Sequence, residues 1–224
     1  QAIIGCQAVS IRHTWSSDRI LTFFAQGIID NTRIFQSHNL TYIPWVETHK
    51  QTGNGLLRKL SRNSCAVVID DFPTYLPRDV MRQASKFCKV RLDAVDSNGI
   101  LPISWADRAF PSAYSFRKYM QNNLLSALGA IPEFDPMENV SKDLLLPNTY
   151  VENLFLNAGS PITPYEWLWR VAQGGEIGIE ACAPLDIDHA VPPVNSKRGG
   201  RFEAVARLDR FLKKGLDRYD SGRN

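Results

Sequence analysis

The chain is poor in the groups from which metal and nucleophilic centres are made. Its four cysteines, Cys6, Cys65, Cys88 and Cys182, stand far apart. Zinc sites and redox pairs need short spacings, because the ligands converge on one ion or one bond, so neither is expected. Structural packing as small hydrophobes fits all four thiols and suits a reducing compartment. The four histidines, His13, His38, His49 and His189, have no carboxylate or cysteine at metal-ligand spacing. Gly53-Asn54-Gly55 lacks the Lys-Ser/Thr ending and the clean preceding strand of a phosphate loop. Ser64 and Ser97 have no nucleophile-elbow setting, so hydrolase chemistry has no support. No apolar run approaches a membrane span and no basic-then-apolar signal opens the chain, so no membrane partner is expected. The net charge is only +3. It is unevenly spread, with nine Lys/Arg against four Asp/Glu from Lys197 to Asn224 and a mildly acidic remainder. A basic segment of this kind can approach phosphates, although a solvated helix face has the same composition.

Hydrophobic residues make up 44% of the chain, enough for a real core. The first two-thirds alternates between two periods. Residues 2–9 read as a strand. Ser16 or Ser17 caps a long helix to about residue 37, with Asp18 in its first turn, where the helix dipole favours negative charge. Residues 42–46 form a second strand, with Pro44 pointing to an edge position. A short helix over 56–62 leads to the strand 65–69, apolar throughout, as a parallel strand buried on both faces must be. Pro77 suits the start of the next helix, the strand 89–95 follows, and a further helix runs over 111–128. Strands alternating with helices argue for βαβ units and a parallel sheet. Eight of the 13 prolines then fall between Pro132 and Pro193. That stretch reads as a long connector, interrupted by an aromatic-rich helix over 165–171 that carries Trp167 and Trp169. Periodicity returns at Arg201, where Phe202, Val205, Leu208, Leu212, Leu216 and Tyr219 line one apolar stripe with no evident partner.

Within this pattern the run from Val95 to Pro111 is the most informative. A β-branched strand ends in the polar turn Asp96-Ser97-Asn98-Gly99, and Trp105-Ala106-Asp107 precedes the next helix. An open α/β sheet presents a ligand site in this way, at the carboxyl ends of its strands. The wording resembles the photolyase/cryptochrome family, nearest to the class II deoxyribodipyrimidine photolyases. Further pieces carry the resemblance in order along the chain. They are His13-Thr14-Trp15-Ser16-Ser17-Asp18-Arg19 with Phe23 to Asn31, then Val67-Val68-Ile69-Asp70-Asp71-Phe72-Pro73. Asp186-Ile187-Asp188-His189, Gly199-Gly200, and Arg218-Tyr219 with Arg223-Asn224 follow.

The resemblance implies an α/β fold: a Rossmann-like open parallel sheet flanked by helices, then a linker and the start of an all-α flavin domain. The divisions expected are 1–128 for the antenna-binding α/β domain, 129–198 for the interdomain linker and 199–224 for the first helix of the FAD-binding domain. The family sheet is ordered 3-2-1-4-5. Its first strand has no counterpart here, so two strand pairs with a gap between them are expected. The chain accordingly reads as a piece of a longer protein, truncated at both ends.

The implied activity of the parent is light-driven splitting of cyclobutane pyrimidine dimers by electron transfer from reduced FAD. Extrusion of the lesion from the duplex is cheap because it stacks poorly, and the cofactor does the chemistry. UV-damaged DNA is the implied partner of a monomeric parent, in the cytoplasm, or the nucleus or an organelle of a eukaryote. No catalytic residue and no metal ligand are expected in these 224 residues. By resemblance, Tyr219 approaches the flavin diphosphate. Asp71, Phe72 and Asn98 sit at strand carboxyl ends, where an antenna pigment, a deazaflavin or a folate, is expected. A cryptochrome-like photoreceptor and a stand-alone Rossmann-like nucleotide-binding module are the alternatives.

Overall fold

A computed structural model describes residues 2–47, 55–129, 133–138, 145–157 and 162–222. His49, Gly53, Asn54, Pro132, Arg223 and Asn224 lie outside the described residues. The chain is mixed α/β, with helix over about half of it and two small parallel sheets. In chain order the elements are β1 (Ile4–Val9), α1 (Asp18–Ser37), β2 (Thr41–Val46), α2 (Leu56–Ser61), β3 (Ala66–Asp70), α3 (Tyr75–Phe87) and β4 (Arg91–Val95). There follow α4 (Ala113–Ala127), α5 (Asn148–Asn157), α6 (Tyr165–Gln173), α7 (Gly175–Cys182), α8 (Arg201–Lys214) and α9 (Tyr219–Gly222). Two compact units are formed, one by residues up to 54 together with those from 137 onwards, the other by 55–136. No helix among the described residues is long and apolar enough to cross a membrane.

The first unit is built around α1. The Ser17 side chain caps it by accepting from the Ile20 amide at 3.4 Å, and Asp18 stands in the first turn as the dipole favours. The helix closes at Asn39, whose φ of 53° is tolerated because asparagine reaches the left-handed region more easily than most residues. β1 and β2 pair in parallel from Ile4↔Thr41 to Val9↔Val46. Pro44, opposite Gln7, costs nothing there, because among the described residues β2 has no strand on its other side.

The proline-rich stretch holds more regular structure than its composition implied. Three helices, α5, α6 and α7, occupy it, because the prolines stand at the starts of α5 and α6 and outside α7. The Pro147 carbonyl accepts from the amides of Tyr150 and Val151, and Pro164 is the N-cap of α6. Gly174, at φ 64° and ψ −156°, turns the chain between α6 and α7 in a conformation that side chains resist. Leu168, Val171, Ala181, Cys182 and Leu185 then join Val9, Leu21, Ala25, Ile28, Ile29 and Val46 in one continuous core. The Trp167 indole donates to the Ala181 carbonyl at 3.0 Å and ties α6 to α7. Burial pushes the Cys182 thiol up to about 12, with the nearby Asp18 charge adding to it. Cys6 and Cys65 are exposed instead of packed. In the folded protein at pH 8, a thiol reagent is expected to modify Cys65 while Cys182 stays unmodified until the chain is denatured, as peptide mass spectrometry will locate.

In the second unit, β3 and β4 pair in parallel from Ala66↔Arg91 to Asp70↔Val95, and α3 packs on both strands. The strand expected to be buried on both faces is not. Its exposure alternates along β3, and Val68 is 65% exposed. A parallel strand is fully buried only where elements cover both of its faces, and α3 supplies one. Helix α3 starts at Tyr75, two residues before Pro77, still within the first turn, where a missing amide is harmless. α4 opens on a reciprocal pair of hydrogen bonds between Ser112 and Ser115. No strand among the described residues joins the pair β1–β2 to the pair β3–β4.

Candidate functional site

The carboxyl ends of β3 and β4 bring three of the four expected site residues together. The ladder continues one step beyond the strands, with the Asp71 amide donating to the Val95 carbonyl at 2.9 Å. The turn after β4 folds back onto it. Asn98 donates from Nδ2 to the Asp71 carbonyl at 2.6 Å, and Ser97 donates from Oγ to Asp70 Oδ1 at 2.8 Å. Asp96 organises the loop from within, accepting the Ile103 amide at 2.6 Å and the Asn98 amide at 3.2 Å. Those backbone donors, Ile103 first, hold the Asp96 carboxyl below its ordinary range. Tyr119 of α4 donates to the Trp105 carbonyl, and Phe110 stacks near both Phe116 and Tyr119, so the loop 96–111 is tied to α4 at its far end.

This geometry divides the residues by role. Asn98 spends its amide on the Asp71 backbone and acts as a brace. The Asp71 carboxylate has no partner among the described residues, and the Phe72 ring is 38% exposed beside it. A free carboxylate next to an accessible ring can accept from ring N–H or ribose hydroxyl groups while the ring stacks on a planar ligand. No group of three or more His, Cys, Asp or Glu that could hold a metal is found among the described residues.

Tyr219 lies in the first unit, at the start of α9. Its ring meets Phe211 edge-on at 5.7 Å and is 55% exposed. Its hydroxyl has no partner among the described residues. A phenol so placed is suited to donate to a phosphate oxygen. The apolar stripe of α8 that leads to it, through Phe202, Val205, Leu208 and Leu212, is exposed along its length.

Other polar centres of the first unit were not legible as partners in the sequence. The segment after α7 runs beside the start of α1. The Asp188 amide donates to the Ser16 carbonyl at 2.9 Å, and the Arg19 amide donates to the Val191 carbonyl at 3.1 Å. His189 Nδ1 stands 3.0 Å from Oδ1 of the fully buried Asp18, while its Nε2 lies 3.1 Å from the Leu185 carbonyl. The Asp18 hydrogen bond raises the His189 pKa. At the carboxyl end of β2, the buried Glu47 is held by Arg12 and Ser10. Farther along α1, the buried Asp30 accepts the Phe202 amide at 3.1 Å and so caps α8 from another helix, with Arg198 Nη2 at 3.6 Å.

The His189 proton has a consequence for stability. It is bound more tightly in the folded chain than in the unfolded one, so its contribution is complete below the unfolded value of about 6.5 and is lost as pH rises through the higher folded value. Melting temperature measured across that window is expected to fall for the wild type. The fall should be absent in His189→Gln.

No protein-family model matches the chain, and no curated protein matches it.

Proposed function

We propose that the chain is the amino-terminal part of a light-driven DNA-repair flavoprotein of the photolyase/cryptochrome kind, one that splits cyclobutane pyrimidine dimers with an electron from reduced FAD. The observation that carries this reading is the pair of separate two-stranded parallel sheets, β1–β2 and β3–β4. A sheet ordered 3-2-1-4-5 leaves these two pairs when its first strand is taken away. The exposure of Val68 on β3 fits a sheet face that further structure covers, and the exposed stripe of α8 fits a helix whose partners belong to a larger helical domain.

In this reading the β3–β4 loop site, Asp71 and Phe72 braced by Asn98, faces the antenna pigment. Tyr219 holds the flavin diphosphate through its free hydroxyl. FAD supplies the photochemical electron when bound, and the residues of this chain supply placement alone. Flavin content is the discriminating property. The protein expressed from the complete reading frame containing this chain is expected to purify with about one FAD per polypeptide, and Tyr219→Phe to weaken that binding by roughly tenfold, one lost hydrogen bond to a charged oxygen. A flavin-free protein that binds nucleotides through the first 128 residues would instead favour a small nucleotide-binding module.

A further inference from the structure

A cleft of about 600 Å³ opens beside α1 in the first unit, and Tyr219 is not among its lining residues. Its lining has a one-sided charge. Arg19, Arg33, Lys197 and Arg198 contribute four cations, and no carboxylate is among the lining residues. Three aromatic rings, Phe23, Phe24 and Trp169, are exposed on the same walls. The volume lies within the range of small-molecule sites, about 300–1,000 Å³.

The cleft is held open by its own hydrogen bonds. Gln26 reaches both walls at once, donating to the Ala172 carbonyl at the end of α6 at 3.0 Å and accepting the Gly199 amide at 2.7 Å. Arg19 clamps the remaining edge, donating from Nε to the Pro192 carbonyl at 3.0 Å. That leaves the outer nitrogens of its guanidinium unspent. Arg33 and the Lys197 ammonium have no side-chain partner among the described residues. Among the described residues Arg198 has only the Asp30 carboxylate at 3.6 Å, too long for a hydrogen bond. Thr22, also in the lining, has a buried hydroxyl with no partner among the described residues. A surface that held four cations only for solubility would not set them around preformed walls between exposed rings.

The geometry points to a binding site for a nucleotide, an aromatic base stacked on Trp169 or a phenylalanine with a diphosphate among Arg33, Lys197 and Arg198, the last held beside Asp30 one turn before Arg33. Aromatic and cation–π contacts favour the base, and charge-assisted hydrogen bonds favour the phosphates. This site is independent of the flavin and antenna reading, since none of its residues belongs to either.

The test is calorimetric titration of the 224-residue chain at low salt with ADP, GDP, CDP and UDP, then with the matching nucleoside and with inorganic pyrophosphate. At least one diphosphate is expected to saturate with a Kd below about 1 mM, with nucleoside and pyrophosphate each weaker by about tenfold or more. Arg33→Ala and Lys197→Ala should each weaken the best nucleotide by about tenfold, and Arg82→Ala in the second unit should not change it. Both cations are exposed and have no side-chain partner among the described residues, so these variants should keep the wild-type circular dichroism spectrum. Three outcomes would overturn the assignment: no nucleotide saturating in that range, pyrophosphate binding as tightly as the nucleotide, or cation variants binding like the wild type.

Discussion

Gly200→Ala is expected to destabilise the first unit by about 3 kcal/mol, a fall of roughly 6–12 °C in melting temperature. Gly200 sits at φ 99° and ψ 163°, a region essentially closed to residues with a β-carbon. A β-carbon there would also lie 2.2 Å from Asp30 Oδ2 and 3.2 Å from the Gln26 carbonyl, so backbone strain and overpacking act together. The neighbouring Gly199 is equally confined, since a β-carbon would meet the Phe23 carbonyl oxygen at 2.3 Å. The two glycines therefore let the chain cross α1 at contact distance before α8 begins. Denaturant unfolding followed by tryptophan fluorescence reads this unit well, because Trp15, Trp45, Trp167 and Trp169 all belong to it. An unchanged midpoint in Gly200→Ala would mean that the crossing is looser than described.

Asp30→Ala is the second large effect, expected at about 2 kcal/mol. The substitution removes a buried acceptor from the Phe202 amide and with it the cap of α8, which no side chain of α8's own N-terminal turn supplies. Breaking a wholly buried ion pair costs about 3–5 kcal/mol, and the smaller figure follows because Arg198 is half exposed and recovers water when its partner goes. The two substitutions are coupled. Gly200→Ala should cost less in the Asp30→Ala background, because the atom its β-carbon strikes has gone and only the backbone strain remains. Strict additivity in that double-mutant cycle would separate Gly200 from Asp30.

Local physics made the first 128 residues legible as a pattern. The Ser17 cap, the acidic first turn at Asp18 and the apolar face of α1 are short-range features, and they stand where the sequence placed them. The Asp71–Asn98 meeting was also foreseeable, because parallel strands bring their carboxyl ends side by side. What escaped were interactions between residues far apart in the chain. His189 and Asp18 are 171 positions apart, and nothing in the spacing of either signals the other. Gln26 bridges α6 and the segment before α8, and nothing in its place on α1 signals either partner. Helices α5 and α7 were hidden by prolines that punctuate their flanks without entering them. The burial of β3 was overestimated for a different reason. An all-apolar strand records the cover its sheet requires, and in the second unit that cover is present on one face.

Repair itself tests the proposed function most directly. The protein from the complete reading frame, loaded with reduced flavin, would be mixed with ultraviolet-irradiated DNA and the cyclobutane thymine dimers counted after blue light and after darkness. Loss of dimers in the light and none in the dark is the predicted result. Dimers that persist under illumination of a flavin-loaded, folded protein would contradict a repair function and leave a photoreceptor as the reading of the same fold.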